Sequence, residues 1–217
     1  MLVWFEAINW KVNWKSEREA PGGGQASARV AKSIITGEVA FIKILNKQHD
    51  AERRARFFRE ASAYSTFDHP GIPRLIESNA IQHADLSYKL YIASEFIPGP
   101  TLTCAMLNDV PPSFHEAVAL VRALLDIVEY FHREGWIHRD IKPDNIILRD
   151  AAFDRPILVD FGLGHSDDRV DTFRTEEREE LGNRFLRLPK LAVGNPVKQD
   201  ARSDLSFIGA SSSTFLQ

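Results

Sequence analysis

The sequence has a single cysteine, Cys104, so no disulfide bond can form within the chain. We expect this side chain to be a small buried residue in a protein of the reducing cytoplasm. No apolar run approaches the roughly 20 residues of a membrane helix, and Glu6 interrupts the apolar start without a cleavage site after it. A net charge of −3 gives no electrostatic reason for binding nucleic acid or a membrane. The sequence therefore predicts a cytoplasmic domain, or two small lobes.

Two short motifs carry most of the chemical information. The first is His-Arg-Asp-Ile-Lys-Pro-Asp-Asn at 138–145, and the second is Asp-Phe-Gly at 160–162. Phosphoryl transfer needs a carboxylate that accepts a hydroxyl proton, a cation near the transferred phosphate, and oxygen ligands for Mg²⁺. Asp140 and Lys142 would be the first two groups, and both would be catalytic. The oxygen ligands of the metal would be Asn145, which also belongs to the catalytic set, and Asp160.

These motifs resemble the catalytic loop and the Mg²⁺-binding loop of the protein kinase family, and Lys142-Pro143 resembles its serine/threonine branch. The resemblance covers roughly residues 14–217. It implies an α+β, two-lobed protein-kinase-like fold, with a small antiparallel-sheet lobe and one regulatory helix at 1–97. A helical lobe at 98–217 would be incomplete, with the family's last helices missing. The cofactors would be ATP and Mg²⁺, and the partner a protein with a serine or threonine hydroxyl.

Periodicity and turn-forming residues predict the order of elements. Three antiparallel strands should lie within 12–46, followed by a helix at 50–66 and two further strands near 73–82 and 88–96. Two short strands should lie at 146–148 and 157–159. Ser113 and Glu116 form a capping-box signature for a long core helix. Its predicted buried positions are Val118, Val121, Leu125, Val128, and Phe131 or His132.

The family resemblance also implies contacts to the nucleotide. Lys43, late in an apolar strand, would contact the phosphates and pair with Glu60 of the next helix. Backbone groups of the hinge would contact adenine, above an apolar floor. The nucleotide-binding residues implied in this way are Gly23, Gly24, Lys43, Glu60, Glu95, Ile97, Ile147 and Asp160.

The chain departs from the family pattern at several positions. Counting back from Lys43, the three phosphate-loop glycines and the following valine would fall on Pro21, Gly23, Ala26 and Ala28. Phe41 replaces the small alanine above adenine, where it would crowd the base or stack on it, and Ser94 occupies the gatekeeper position. Lys190 replaces the glutamate of Ala-Pro-Glu.

Two later segments resemble regulatory and structural parts of the family. Arg139 would receive an anion from the charged segment after residue 162, either a phosphate or an unmodified carboxylate. The candidate donors of that anion are Thr172, Thr175, Glu176 and Glu177. Asp204 resembles the helix aspartate that braces the catalytic-loop backbone.

Three functions follow from the sequence. The first is a serine/threonine kinase that transfers the γ-phosphate of Mg-ATP to a protein. The second is a weak or inactive pseudokinase-like nucleotide-binding scaffold, or a truncated fragment, which could self-associate through exposed surface of the second lobe. The third is a small-molecule phosphotransferase of the aminoglycoside-kinase type, against which Arg139 and Lys142-Pro143 argue.

Overall fold

The described residues fall into two compact units. The first unit comprises residues 1–68 and 73–97, and the second comprises 69–72 and 98–217. The computed structural model describes residues 4–20, 26–107, 112–163, 165–166 and 201–215.

A five-stranded sheet forms the first unit, and each neighbouring pair of strands is antiparallel. The strands are β1 (Trp14–Ala20), β2 (Ala26–Ser33), β3 (Val39–Leu45), β4 (Leu75–Ser78) and β5 (Tyr91–Glu95). Their order in the sheet is β1-β2-β3-β5-β4. The antiparallel sheet expected from the sequence is thereby confirmed.

One helix, α1 (Ala51–Thr66), belongs to this unit. Its N-cap is Asp50, whose side chain accepts a hydrogen bond from the backbone N–H of Arg53 at 3.0 Å. The helix ends at Thr66, shortly before Pro70. Proline disfavours helical geometry in the residue before it, so the sequence itself limits the length of α1.

The first residue of β1 and the segment before it cover one face of the sheet. Trp10 and Trp14 are buried there against apolar residues of the three central strands. The Trp14 indole donates a hydrogen bond from Nε1 to the buried carboxylate of Glu77 at 2.7 Å, and the Tyr91 hydroxyl donates to the same oxygen. The polar edge of the indole is therefore satisfied inside an apolar layer. These tryptophans are part of the core of the unit.

The second unit contains three helices and two pairs of short antiparallel strands in its described part. The helices are α2 (Leu102–Leu107), α3 (Phe114–Arg133) and α4 (Arg202–Phe215). The strands are β6 (Trp136–Ile137), β7 (Ile146–Leu148), β8 (Pro156–Leu158) and β9 (His165–Ser166). Strand β6 pairs with β9, and β7 pairs with β8.

The predicted capping box of α3 is present, and its predicted buried face is confirmed at Val128 and Phe131 but wrong at Val118 and Leu125. Ser113 and Glu116 exchange the expected hydrogen bonds. Val118 and Leu125 are 50% and 42% exposed. The buried positions are Ala117, Leu120, Leu124, Ile127, Val128 and Phe131. Two apolar stripes lie side by side on this helix, and the surrounding elements determine which one is covered.

The expectation for Cys104 is also wrong, because its side chain is exposed on α2. The buried residue of that short helix is Leu102, two positions before Cys104, and residues two apart on a helix do not face the same side. Within the described part of the chain, no helix is long and apolar enough to cross a membrane.

Candidate active site

The loop between β6 and β7 brings Asp140, Lys142 and Asn145 together. Lys142 Nζ lies 2.7 Å from Oδ2 of Asp140. Asn145 Nδ2 donates to the same Oδ2 at 3.0 Å and to the backbone carbonyl of Asp140 at 2.8 Å. Among the described residues, no donor bonds the other carboxylate oxygen, Oδ1. One face of the Asp140 carboxylate is therefore held, and the other can accept a proton.

The orientation of Asn145 leaves an oxygen for a metal ion. Both contacts of Nδ2 are to oxygen atoms, which fixes the amide so that its own Oδ1 faces elsewhere. Asn145 is buried to 7% exposure, in a short 3-10 turn at 143–145. An amide oxygen held in this way is a ligand of the type that Mg²⁺ prefers.

Asp160 follows β8 and has a positive φ of 68°. The residue before it, Val159, donates its N–H to the carbonyl of Asn145 at 2.9 Å. This backbone bond joins the metal loop to the catalytic loop. The amide and carboxylate oxygens of Asn145 and Asp160 form a hard donor set that fits Mg²⁺. In the described ranges, no cluster of three or more His, Cys, Asp or Glu side chains could hold a metal ion.

Asp204 of α4 holds the start of the catalytic loop. Its Oδ2 accepts a bond from the His138 N–H at 2.9 Å, and its Oδ1 accepts one from the Arg139 N–H at 2.8 Å. His132 Nε2 lies 2.9 Å from Oδ2. Asp204 is fully buried, and Arg139 adopts a φ of 68°, which is unusual for a residue with a side chain. The carboxylate therefore stabilises the backbone turn that precedes Asp140.

His138 links the two loops through its ring. Nδ1 accepts the N–H of Asp140 at 3.3 Å, and Nε2 donates to the carbonyl of Val159 at 3.2 Å. The ring packs 4.5 Å from that of Phe161, which is itself fully buried. Complete burial lowers the pKa of His138, although the carboxylates of Asp204, Asp140 and Asp160 oppose this shift. The imidazole is thus neutral at pH 7, in the tautomer that the two hydrogen bonds require.

Lys43 and Glu60 form an ion pair in the first unit. Lys43 Nζ lies 2.8 Å from Oε1 and 2.7 Å from Oε2 of Glu60. The Glu60 side chain is 4% exposed and that of Lys43 is 22% exposed. The structure therefore brings together the two residues that the sequence paired, on β3 and α1.

The register of the sheet places Phe41 beside two other residues of interest. Phe41 lies opposite Ser94 of β5 and opposite Val30 of β2. Directly paired residues share a face of the sheet. Ala28, which counting had assigned to the family's valine, lies opposite Lys43 instead. The β2 residue beside Phe41 is therefore Val30, and the assignment of the family's valine to Ala28 stays a prediction.

The other predicted residues have varied surroundings. Glu95 ends β5, and Ile97, the last residue of the first unit, is 7% exposed. Ile147 lies in β7 and forms a bridge with Thr101. Several predicted residues lie outside the described part of the chain: Pro21, Gly23, Gly24, Thr172, Thr175, Glu176, Glu177 and Lys190.

A protein-family model described as the protein kinase domain matches residues 16–177. The chain belongs to the protein kinase family. The match begins inside β1, so the Trp10 side chain that backs the sheet of this kinase domain lies outside it.

Curated relatives of this kinase domain are named as serine/threonine-protein kinases. A probable serine/threonine-protein kinase PknB of Bifidobacterium longum is 30% identical over 193 residues, covering 86% of this chain and 27% of the relative. Serine/threonine-protein kinase PknJ of Mycobacterium tuberculosis is 30% identical over 200 residues, covering 90% and 32%. Serine/threonine-protein kinase C of Synechocystis is 40% identical over 112 residues, covering 51% and 20%. The kinase domain thus spans less than a third of each of these relatives.

Proposed function

We propose that this kinase domain transfers the γ-phosphate of Mg-ATP to a serine or threonine hydroxyl of a protein. The observation that carries the proposal is the arrangement of Asp140, with one oxygen bonded by Lys142 and Asn145 and the other available. A substrate hydroxyl placed at Oδ1 could donate its proton there as its oxygen attacks phosphorus. The relatives named as serine/threonine kinases support the choice of hydroxyl.

Lys142 serves two purposes in this proposal. Its ammonium group neutralises the Asp140 carboxylate in the resting state at 2.7 Å. It would also be the cation near the transferred phosphate, where it would offset the charge that develops on the phosphoryl oxygens. Its side chain is 31% exposed, so it can turn from one partner to the other.

Asn145 and Asp160 would hold Mg²⁺, which supplies charge neutralisation to the phosphates when it is bound. Their own contribution is position: the Asn145 amide is fixed by Asp140, and the backbone of Val159 is tied to Asn145. Lys43, oriented by Glu60, would contact the nucleotide phosphates. Glu95, Ile97 and Ile147 would contact the adenine, as would Phe41 and Val30.

The strand register supports a revised phosphate loop. If Val30 is the valine that follows the loop, the same spacing moves the three glycine positions to Gly23, Gln25 and Ala28. Gly23 and Gly24 would still contact the phosphates, since glycine lets backbone N–H groups approach them closely. The loop would then begin with a glycine, without Pro21 at its first position.

Intact mass spectrometry after incubation with Mg-ATP and a basic protein acceptor tests the proposal. We expect mass increases of one phosphate on the acceptor or on the chain, and their loss in Asp140→Asn. Asp144→Asn is the matched control, because Asp144 is an exposed aspartate of the same loop. Loss of a general base lowers the rate by about 100-fold or more, whereas the control should keep the rate of the parent chain.

Two other results would favour the alternatives. Mg-ATP binding without transfer to any protein would favour the scaffold, and transfer only to small molecules would favour the small-molecule phosphotransferase. We further propose that a phosphate on Thr172 or Thr175 increases activity by binding Arg139. Full activity of the Thr172→Ala, Thr175→Ala double variant would contradict this second proposal.

A further inference from the structure

Arg54, in the first turn of α1, is fully buried, and no carboxylate among the described residues lies at hydrogen-bonding distance from it. Its guanidinium donates instead to five backbone carbonyls, which we call the carbonyl cage. These acceptors are the carbonyls of His83 (2.6 Å), Gln48 (3.0 Å), Tyr88 (3.0 Å), Gln82 (3.1 Å) and Asp85 (2.5 Å). Guanidinium has five N–H groups in a planar fork, so the cage can use its full donor capacity.

The cage ties α1 to two distinct parts of the first unit. Four of its carbonyls belong to the segment 82–88 that leads into β5, and the fifth belongs to Gln48, just after β3. The Gln48 side chain extends the connection, because it donates to the carbonyl of Leu45 at 2.7 Å and accepts from the N–H of Leu90 at 3.0 Å. Arg54 therefore connects the start of α1 to the residues that follow β3 and to the segment that precedes β5.

An aromatic contact continues this attachment along the same face of the helix. Phe58, four residues after Arg54, stacks on the ring of His83 at 4.5 Å with an interplanar angle of 14°. Residues four apart lie above one another on a helix. The segment 82–88 is thus bound to two successive turns of α1.

The same helix carries Glu60, the partner of Lys43. Glu60 lies six positions after Arg54, which corresponds to about 9 Å along the helix axis. A rigid helix attached at both points cannot slide or tilt without breaking one of them. Removing a buried cation from five carbonyl acceptors is costly, so the cage resists any movement of this end of the helix.

We propose that Arg54 is a positioning residue, which holds α1 where the Glu60 carboxylate meets Lys43. Its importance for catalysis rests on the proposed function, since Lys43 must contact ATP for the position of Glu60 to matter. The placement itself does not depend on nucleotide, and it can be measured without any.

The test is the labelling rate of Lys43 by an amine-reactive acetylating reagent, measured by peptide mass spectrometry in the absence of nucleotide. Lys32, an exposed lysine of β2, is the internal reference. Arg54→Lys keeps the charge but loses the planar fork. We expect it to increase Lys43 labelling about threefold or more, the scale of coupling between residues of one network, with Lys32 unchanged. Arg53→Lys is the control, because Arg53 is a partly exposed neighbour paired with Asp50.

A double-variant cycle separates positioning from general loosening. In the Glu60→Gln background, Lys43 has already lost its charged partner, so Arg54→Lys should add less than about twofold to its labelling. An equal increase in both backgrounds would overturn the proposal, and so would an unchanged rate with Glu60 present. Gln48→Ala is a milder variant, to be used if Arg54→Lys does not fold, and it should increase Lys43 labelling in the same direction.

Mg-ATP affinity of the same variants shows which proposal fails, if one does. If the parent chain binds no Mg-ATP, the proposed function fails, whereas the labelling result still decides the role of Arg54. If the parent binds Mg-ATP and the labelling cycle shows no coupling, Arg54 does not position Glu60 and the proposed function is unaffected.

Discussion

Replacing Asp204 by asparagine should destabilise the second unit and slow phosphoryl transfer, although Asp204 touches no predicted substrate group. The two backbone donors, His138 and Arg139, bind different oxygens of its carboxylate. Asparagine has only one oxygen, so its NH₂ group must face one of these N–H groups. One charge-assisted hydrogen bond is then lost, and a buried N–H is left without an acceptor.

The expected losses of stability and of kcat in Asp204→Asn follow from that geometry. Loss of a hydrogen bond to a charged group and exposure of an unsatisfied buried donor together cost about 3 kcal/mol. Arg139 has a φ of 68°, and without its acceptor this conformation is less favourable by roughly 1 kcal/mol or more. Relaxation of the turn would move Asp140, and a displacement of about 1 Å lowers kcat by up to 100-fold.

Two assays check this prediction. Urea denaturation gives the change in the free energy of unfolding, and phosphate transfer to a basic protein gives kcat. The matched control is Asp154→Asn, an exposed aspartate of the same unit, for which we expect a change within about 0.5 kcal/mol. A free energy of unfolding for Asp204→Asn equal to that of the control would refute the reasoning, because Asp204 would then not be supporting the loop.

Three further variants test other parts of the fold. Burial lowers the pKa of His138 below its unfolded value near 6.5. The free energy of unfolding should therefore fall as the pH drops below that value, by at most about 1.4 kcal/mol per pH unit. In urea titrations at several pH values, His138→Gln should show a weaker dependence of the free energy of unfolding on pH. Gly99→Ala should prevent the second unit from folding, because a Cβ would lie 1.9 Å from a backbone carbonyl oxygen, and a thermal melt should then show no cooperative transition for that unit. Gly135→Ala is the control: with nothing within 4 Å of its Cβ, it should lower the free energy of unfolding by only about 1 kcal/mol. Trp10→Ala should destabilise the first unit by about 3 kcal/mol in urea denaturation, whereas Val12→Ala, at an exposed position, should not. Equal urea midpoints for the two variants would contradict a core role for Trp10.

Local chemistry was readable in the sequence where it depends on residues close together in the chain. Asp140, Lys142 and Asn145 lie within six residues, and the loop that contains them brings their side chains into contact. The capping box of α3 was predicted correctly for the same reason, because its two residues are three apart. The pairing of Lys43 with Glu60 required the family resemblance, since the two lie 17 positions apart on a strand and on the following helix.

Burial and register were decided by tertiary structure. Val118 and Leu125 of α3 are exposed although they are as apolar as buried residues of the same helix, and only the packing of neighbouring elements decides which are covered. Strand register depends on the length of the turn between β2 and β3, and the structure pairs Phe41 with Val30 and Lys43 with Ala28.

The sequence by itself determined the chemical groups of the kinase site, because side-chain identity is written at each position. Only the tertiary structure showed what holds those groups in place. The supports of the site come from distant parts of the chain, such as Asp204 against His138, 66 residues apart. In the case of Arg54 the partners are backbone carbonyls, which every residue has, and so no pattern of side chains could have indicated them.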